Sequence, residues 1–383
     1  MTPAARAQAA IELIDAWNGG LAIEQALLRW ARGARYAGAK DRRAVRDLVF
    51  DVLRRRGSCA ARGGAETGRA LLLGHLRRNA LSPEEIFAGD GYGPAALTSD
   101  EVLRGDEPAP FADIPHWLHA PMREALGGEF SEIAQAICAR APLYLRVNAR
   151  RGSVKATMAA LDAEAIQAVP EEACATALRV TEGARKVASS KPYHDGLVEI
   201  QDLSAQMACA SVNWPQGGVL DYCAGGGGKA LAIAAATGGS VDVHDAAPGR
   251  MADLPARAMR AGAQLVQRPS PKGPYRCVLV DVPCSGSGTW RRNPEAKWRL
   301  SPEKLLDYMR LQEDILDRAA GLVAGGGQLV YMTCSLLAAE NSDQIESFLR
   351  RQIGWSHRQS RLFTPLNASD GFFVAELRRE ADI

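Results

Sequence analysis

A chain of 383 residues, 47% hydrophobic, is long enough for two or three domains, each with its own core. It carries 46 Lys and Arg against 44 Asp and Glu, and the formal net charge of +2 hides a segregation: residues 29–62 hold eleven Arg or Lys against three Asp, a local excess of +8. No apolar leader with a small-residue cleavage site opens the chain, no apolar run is long enough to span a bilayer, and the eight cysteines are scattered without a Cys-x-x-Cys, which excludes a disulfide scaffold and a zinc site. The expectation is a cytoplasmic protein with reduced thiols and no metal. The basic excess suits a polyanion, because each neutralised phosphate releases counterions; a solvated helix face is the alternative.

Residues 1–140 follow a helical pattern throughout. Val45, Leu48, Val49, Val52 and Leu53 fall at i, i+3, i+4, i+7 and i+8, one apolar stripe, while Arg42, Arg43, Arg46 and Arg54 to Arg56 occupy the other faces. Ala9 to Trp17, Ile23 to Trp30 and Arg69 to Arg78 supply further helices, and Gly89 to Asp113, rich in Gly, Pro and Asp, is predicted to be a long loop. Helical spacing resumes at Trp117, Leu118, Met122 and Leu126 after Pro115.

Beyond Pro142 the pattern changes. Leu143 to Asn148 alternates like a strand, Val154 to Leu161 is helical, and Leu178 to Thr181 and Leu197 to Ile200 are again strand-like, giving a small α/β linker domain over 141–195 with no catalytic signature. From 196 onward strands alternate with helices, the mark of a doubly wound, mainly parallel sheet. Val219 to Cys223 is a strand running into Ala224, four glycines (Gly225 to Gly228) and Lys229, then an Ala-rich helix. Glycines at such a turn let a ligand approach the backbone. Asp245, ending the next strand, lies about 20 residues past Gly225, the separation of an acid that binds ribose hydroxyls. A nucleoside-bearing cofactor follows, although Gly225, Gly227 and Ala230 also satisfy the looser dinucleotide fingerprint and keep an NAD enzyme open. A Walker-type phosphate loop is excluded, since Cys223 replaces its first glycine and Ala230 its magnesium-binding hydroxyl.

Two strands then deliver thiols. Cys277 to Val282 is a β-branched run broken by Pro283, and Cys284 follows in a Gly-rich turn; Gly327 to Thr333 is a second apolar strand that ends at Cys334. In parallel α/β sheets the carboxyl edge binds ligands, so Asp281, Cys284 and Cys334 are placed for chemistry, whereas Cys138, Cys174, Cys209 and Cys277 lie within regular patterns and are read as inert, as is Cys223 beneath the glycine loop.

Asp281-Val-Pro-Cys-Ser-Gly-Ser-Gly288 with Arg291-Arg-Asn-Pro294 and Trp298, then Thr333-Cys-Ser335 with Glu340-Asn341, resembles the RNA (cytosine-C5) methyltransferases of the Nol/Nop/Sun family. Gln201 to Gln206, Asp221 to Lys229, Asp245 with Arg250, and Asp370 to Ala375 fit the same pattern in order, over residues 196–383. Lys40-Asp-Arg-Arg ahead of Val45-Arg-Asp-Leu-Val is similar to the NusB-like domain of bacterial members that methylate small-subunit rRNA. The resemblance implies an all-helical NusB-like RNA-binding domain (1–140), the linker, and a Rossmann-like methyltransferase domain (196–383) that acts as a monomer.

By resemblance, Cys334 is the nucleophile that adds to carbon 6 of cytosine, Cys284 assists release of the product, Asp281 holds the amidine edge of the base, and Lys229 favours the thiolate. S-adenosylmethionine would be cradled by Asp221, Cys223, Ala224, Gly225, Gly226, Gly227, Gly228, Lys229, Asp245, Arg250 and Asp281. For the Lys229 and Asp281 pair, an ion pair closing the loop is the structural alternative. This sequence departs from the family at Gly225-Gly226, where Ala-Pro is usual, and after the third strand, where Gln264 to Pro271 offers no acid for the adenine. A tRNA substrate, a non-catalytic RNA-binding assembly factor and an NAD-dependent oxidoreductase are the competing readings. The last leaves both thiol-bearing strand ends without a role.

Overall fold

The computed structural model describes residues 1–103 and 105–381, in two compact units. The first comprises Met1–Arg123, Gly127–Arg140 and Trp290–Arg299. Its main helices are α1 (Pro3–Asn18), α2 (Ile23–Gly33), α3 (Ala39–Arg54), α4 (Arg56–Gly63) and α5 (Gly68–Arg78). Thr2 and Thr67 cap α1 and α5 with their hydroxyls, relieving amides that have no partner within the helix. The stripe on α3 is buried where the spacing put it: Val45, Val49, Val52 and Leu53 have no exposed surface. Close packing fixes some glycines, since a Cβ at Gly63 would lie 1.9 Å from the Ala70 carbonyl oxygen and one at Gly74 1.9 Å from that of Cys59, which brings α4 and α5 together. The predicted loop Gly89 to Asp113 contains a short helix, Ser99–Leu103, and Glu101 in it forms an ion pair with Arg69.

Trp290–Arg299, placed in the catalytic domain by its position in the chain, groups instead with the helical unit. The reason is at the end of α3, whose last carbonyls lack intrahelical donors. The Trp298 indole donates to the Leu53 oxygen at 2.7 Å, the fully buried Lys297 ammonium to the Arg54 oxygen at 2.9 Å, and Arg54 Nε to the Arg291 oxygen at 2.7 Å.

The basic excess of residues 29–62 is partly neutralised. Arg46 pairs with Glu24, Arg54 with Asp51, Arg56 with Glu66 and Arg62 with Glu107, so the arginines that remain for a partner are fewer than the charge count suggests.

In the second unit, β1 (Leu143–Val147), β2 (Gln167–Pro170), β3 (Ala177–Glu182) and β4 (Val198–Ile200) form an antiparallel sheet in the order β2-β3-β1-β4. A seven-stranded sheet follows: β5 (Val219–Asp221), β6 (Val241–Val243), β7 (Leu265–Gln267), β8 (Tyr275–Asp281), β9 (Val323–Thr333), β10 (Trp355–Phe363) and β11 (Phe372–Arg379), in the order β10-β11-β9-β8-β5-β6-β7. The five strands from β9 to the β7 edge are parallel, and the β10–β11 hairpin at the other edge is antiparallel. Because β6 and β7 lie on one side of β5 and β8 and β9 on the other, the strand order reverses between β5 and β8. In sheets of this kind the ligand crevice lies at the carboxyl ends of the strands where the order reverses. Asp221 and Asp281 end those two strands.

Candidate active site

The glycine loop leaves β5 at the crevice. Gly225 and Gly227 hold positive φ angles of 50° and 78°, and a Cβ at Gly227 would come within 2.0 Å of the Leu254 side chain, so this turn needs glycine. The Gly225 amide donates to Asp245 Oδ2 at 2.9 Å, the Ala247 amide to Oδ1 at 2.9 Å, and Arg250 lies 3.2 Å from Oδ2. Asp245 is therefore buried and locked to the loop, with lone pairs left over from these bonds. Asp242, the other acid on β6, is taken by Arg268 at 2.7 Å and by the Tyr275 hydroxyl at 3.0 Å.

Asp221 is the unsatisfied acid of the crevice. It is 1% exposed, and no side chain donates to either carboxylate oxygen. Burial, then the charge of Asp281, push its carboxyl up to about 7, against the smaller opposing pull of Lys229 and the backbone amides of Ala230 and Cys223. A buried polar group in this condition calls for a ligand with donors. Together with the open glycine turn and Asp245, it fits a nucleoside-bearing cofactor. No acid follows β7; Arg268 there is engaged by Asp242.

The thiols meet as the strand pattern required. Cys284 Sγ and Cys334 Sγ are 3.4 Å apart and partly exposed. Lys229 Nζ makes a short ion pair with Asp281 Oδ2 and lies 5.2 Å from the centre of the Phe372 ring. The ion pair considered as a structural alternative thus forms, and it forms at the thiols' own edge of the sheet. Burial works to discharge Lys229, but the charge and hydrogen bond of Asp281 outweigh it and hold the ammonium. The two thiols are unequal. The hydrogen bond with Cys334, then burial, push the Cys284 thiol well up; that same bond, helped by Lys229, pulls Cys334 down against its burial. Of the two, Cys334 is the thiol whose ionisation the site favours. Burial pushes Cys209 and Cys277 up to about 12 and Cys223 higher still, which makes them inert.

Residues to which the sequence assigned no role hold these groups in place. Glu340 has no exposed surface: Oε1 accepts from the Ser285 amide at 2.8 Å and Gln312 Nε2 at 3.1 Å, and Oε2 accepts from the Ser285 hydroxyl and from the Ser335 hydroxyl at 2.6 Å. One carboxylate thus ties the residue after Cys284 to the residue after Cys334. The linker sheet, read as lacking any catalytic signature, grips the glycine loop. Arg146 on β1 donates to the Gly228 oxygen at 2.9 Å, and Arg257 donates to the Gly226 oxygen while bound to the buried Glu199 of β4. The only hint in the sequence was a charge in an otherwise apolar strand.

Comparison with known proteins agrees with this arrangement. Residues 212–378 match the family model described as 16S rRNA methyltransferase RsmB/F, and residues 114–187 match the RsmF/B-like ferredoxin-like domain. The chain is 32% identical over 283 residues to ribosomal RNA small subunit methyltransferase B of Escherichia coli O127:H6 (strain E2348/69 / EPEC), covering 69% of this chain and 66% of that protein.

This chain belongs to the RsmB/F family.

A similar relative of the same description in Enterobacter sp. (strain 638) is 33% identical over 288 residues, covering 70% of this chain and 66% of its own length, so the matches span just under two thirds of these relatives. The RsmB/F fold is also visible in solved structures. The crystal structure of PH0851 aligns with a TM-score of 0.75 over 99% of both chains at 22% identity. That of NSun6 from Pyrococcus horikoshii with SFG aligns with a TM-score of 0.61 over 70% of this chain and 99% of its own, at 18% identity. The fold is accordingly a mixed α/β methyltransferase fold with a mainly parallel sheet and a ferredoxin-like domain.

Among the described residues no cluster of His, Cys, Asp and Glu could hold a metal, and no helix is long and apolar enough to cross a membrane.

Proposed function

We propose that this protein transfers a methyl group from S-adenosylmethionine to carbon 5 of a cytosine in small-subunit ribosomal RNA, through a covalent bond between Cys334 and carbon 6. The observation that carries the reading is the pair of thiols 3.4 Å apart at neighbouring strand ends, with the Lys229–Asp281 ion pair beside them. Carbon 5 of cytosine is a weak nucleophile. Addition of the Cys334 thiolate to carbon 6 sends an electron pair through the ring toward N3, where the Lys229–Asp281 pair holds the amidine edge and delivers a proton. Carbon 5, now electron-rich, takes the methyl group; S-adenosylmethionine supplies it as an electrophilic sulfonium carbon. Cys284 then promotes loss of the carbon 5 proton, Cys334 leaves carbon 6 as the thiolate, and N3 returns its proton to the Lys229–Asp281 pair, which restores the ring double bonds of the methylated base. The lowered Cys334 suits the attacking role, since addition to carbon 6 needs its thiolate.

Asp221, Asp245 and the turn from Ala224 to Gly228 would hold the cofactor, with Arg250 fixing Asp245. A base can reach the thiols only when unpaired or flipped, so the target is a loop or an opened helix. The helical unit, by its similarity to NusB-like domains, is assigned to RNA binding.

The test uses labelled S-adenosylmethionine with separated rRNA and tRNA pools, followed by mapping of 5-methylcytosine and denaturing gels. Cys284→Ala should methylate once and then accumulate a slow-migrating protein–RNA band; Cys334→Ala and the double variant should give neither band nor product. A band for Cys334→Ala would exchange the roles. Activity surviving both changes would refute covalent catalysis, and label entering only tRNA would refute the substrate.

A further inference from the structure

The helical unit contains a cavity of about 270 Å³ into whose wall four arginines are gathered. It lies between the end of α3, the end of α5 and the segment after the helix Phe130–Ala136. Arg54, Arg55, Arg78 and Arg140 line it against a single carboxylate, Asp51. That carboxylate is already bound to Arg54 at 2.6 Å, and Arg140 leans outward on Asp47 at 3.5 Å. Among the described residues, no carboxylate stands within ion-pair distance of Arg55 or Arg78. The two guanidinium groups instead oppose one another: burial, then Arg55, lower the Arg78 value. His75, Asn79, Cys138 and Ala139 complete the wall, and His75 Nδ1 is a buried polar atom with no hydrogen-bond partner. Folding alone gains nothing from such crowding, because like charges gathered in a half-buried pocket repel.

We propose that this cavity is a phosphate subsite that takes one phosphodiester of the RNA substrate. The proposal rests on the RNA reading given above and adds to it a defined anchoring point, distinct from the arginines of α3 and α4 that are paired to Glu24, Glu66 and Glu107. A guanidinium fork matches phosphate oxygens in geometry and in charge, and the volume suits a single phosphate group. A free phosphate offers the same chemistry, so the experiment must tell the two apart. A competing structural account is that Arg55 and Arg78, at the ends of α3 and α5, merely complement the helix dipoles. It predicts the opposite effect on stability.

The test compares the full chain with Arg55→Gln/Arg78→Gln, and with Arg29→Gln/Arg32→Gln as a control that removes equal charge from exposed positions on α2. Binding of protein-free small-subunit rRNA is measured across a salt series. The pocket variant should flatten the log–log slope by roughly 0.7 per lost phosphate contact, and the control by less than half as much. The melting temperature of the pocket variant should stay level or rise. Loss of melting temperature in the pocket variant supports the dipole account and overturns the proposal, as does an unchanged salt slope while the parent still binds rRNA. Inorganic phosphate supplies the second arm. If it raises the parent's melting temperature but not the variant's, and rRNA competes with it, the proposal stands; phosphate binding without competition by rRNA overturns the RNA assignment. Should the parent bind no rRNA at all, the functional reading itself fails together with this subsite.

Discussion

Replacing Glu340 should separate the architecture of the site from its electrostatics. Its carboxylate receives four hydrogen bonds with no exposure to water: the Ser285 amide, the Ser285 and Ser335 hydroxyls, and the amide of Gln312. In Glu340→Leu all four donors lose their acceptor, and since buried donors without partners cost about 1–3 kcal/mol each, less what the two hydroxyls recover by turning elsewhere, the loss should be about 3–5 kcal/mol. Glu340→Gln is milder. Its oxygen can keep the Ser285 amide and Gln312, and its NH₂ can face the two hydroxyls, which reverse to accept; about 1–2 kcal/mol is expected. The thiols should move the other way. The negative charge of Glu340 is one of the influences that raise both Cys284 and Cys334, so its removal favours thiolate. Alkylation by iodoacetamide as a function of pH should show the Cys334 midpoint shifted toward acid in Glu340→Gln, while methyl transfer falls because the two loops lose their common tie. Denaturant unfolding gives the stability and peptide mapping gives the site. If alkylation shifts toward alkali, or if Glu340→Leu is as stable as the parent, Glu340 is neither the tie nor the charge argued for it.

Lys229→Met should move that same alkylation midpoint toward alkali, because the ammonium is among the groups that lower Cys334; an acid shift would place the cation's influence elsewhere. Asp221→Asn should remove a pH dependence of stability. With the folded carboxyl near 7 against an ordinary 3.8, the folded state keeps a proton that the unfolded chain has released, so stability falls as pH rises between those values, by up to about 1.4 kcal/mol per pH unit, and urea unfolding of the parent from pH 4 to 7 should be steeper than that of the variant. Asp245→Ala should weaken S-adenosylmethionine binding by about 2–3 kcal/mol in calorimetry while rRNA affinity holds, and unaltered cofactor affinity would remove Asp245 from the ribose.

Much of this protein is legible one segment at a time. The strands that end in Asp221 and Asp281 and the one that runs to Thr333, just before Cys334, carry apolar runs bounded by glycine or proline, and the helix carrying Lys229 begins at a glycine turn, so local periodicity and turn chemistry suffice to place a carboxylate edge, a cofactor loop and two thiols on one sheet. The apolar stripe of α3 is legible for the same reason, since burial follows the helical period. What the linear pattern does not carry is anything decided by a partner far along the chain. Gln312 is an ordinary polar residue, and Glu340 a motif position without a role, until the fold brings them to Ser285 and Ser335. The charges of α3 and α4 look free until Glu24, Glu66 and Glu107 close on Arg46, Arg56 and Arg62. Trp290–Arg299 joins the helical unit because the last carbonyls of α3 need donors that its own helix cannot supply. The inequality of Cys284 and Cys334 is of the same kind: each thiol follows its strand in the same way, and the 3.4 Å approach, with Lys229 acting on Cys334, favours ionisation of one over the other. Hydrogen-bond satisfaction and charge pairing act through space, and sequence distance does not limit them.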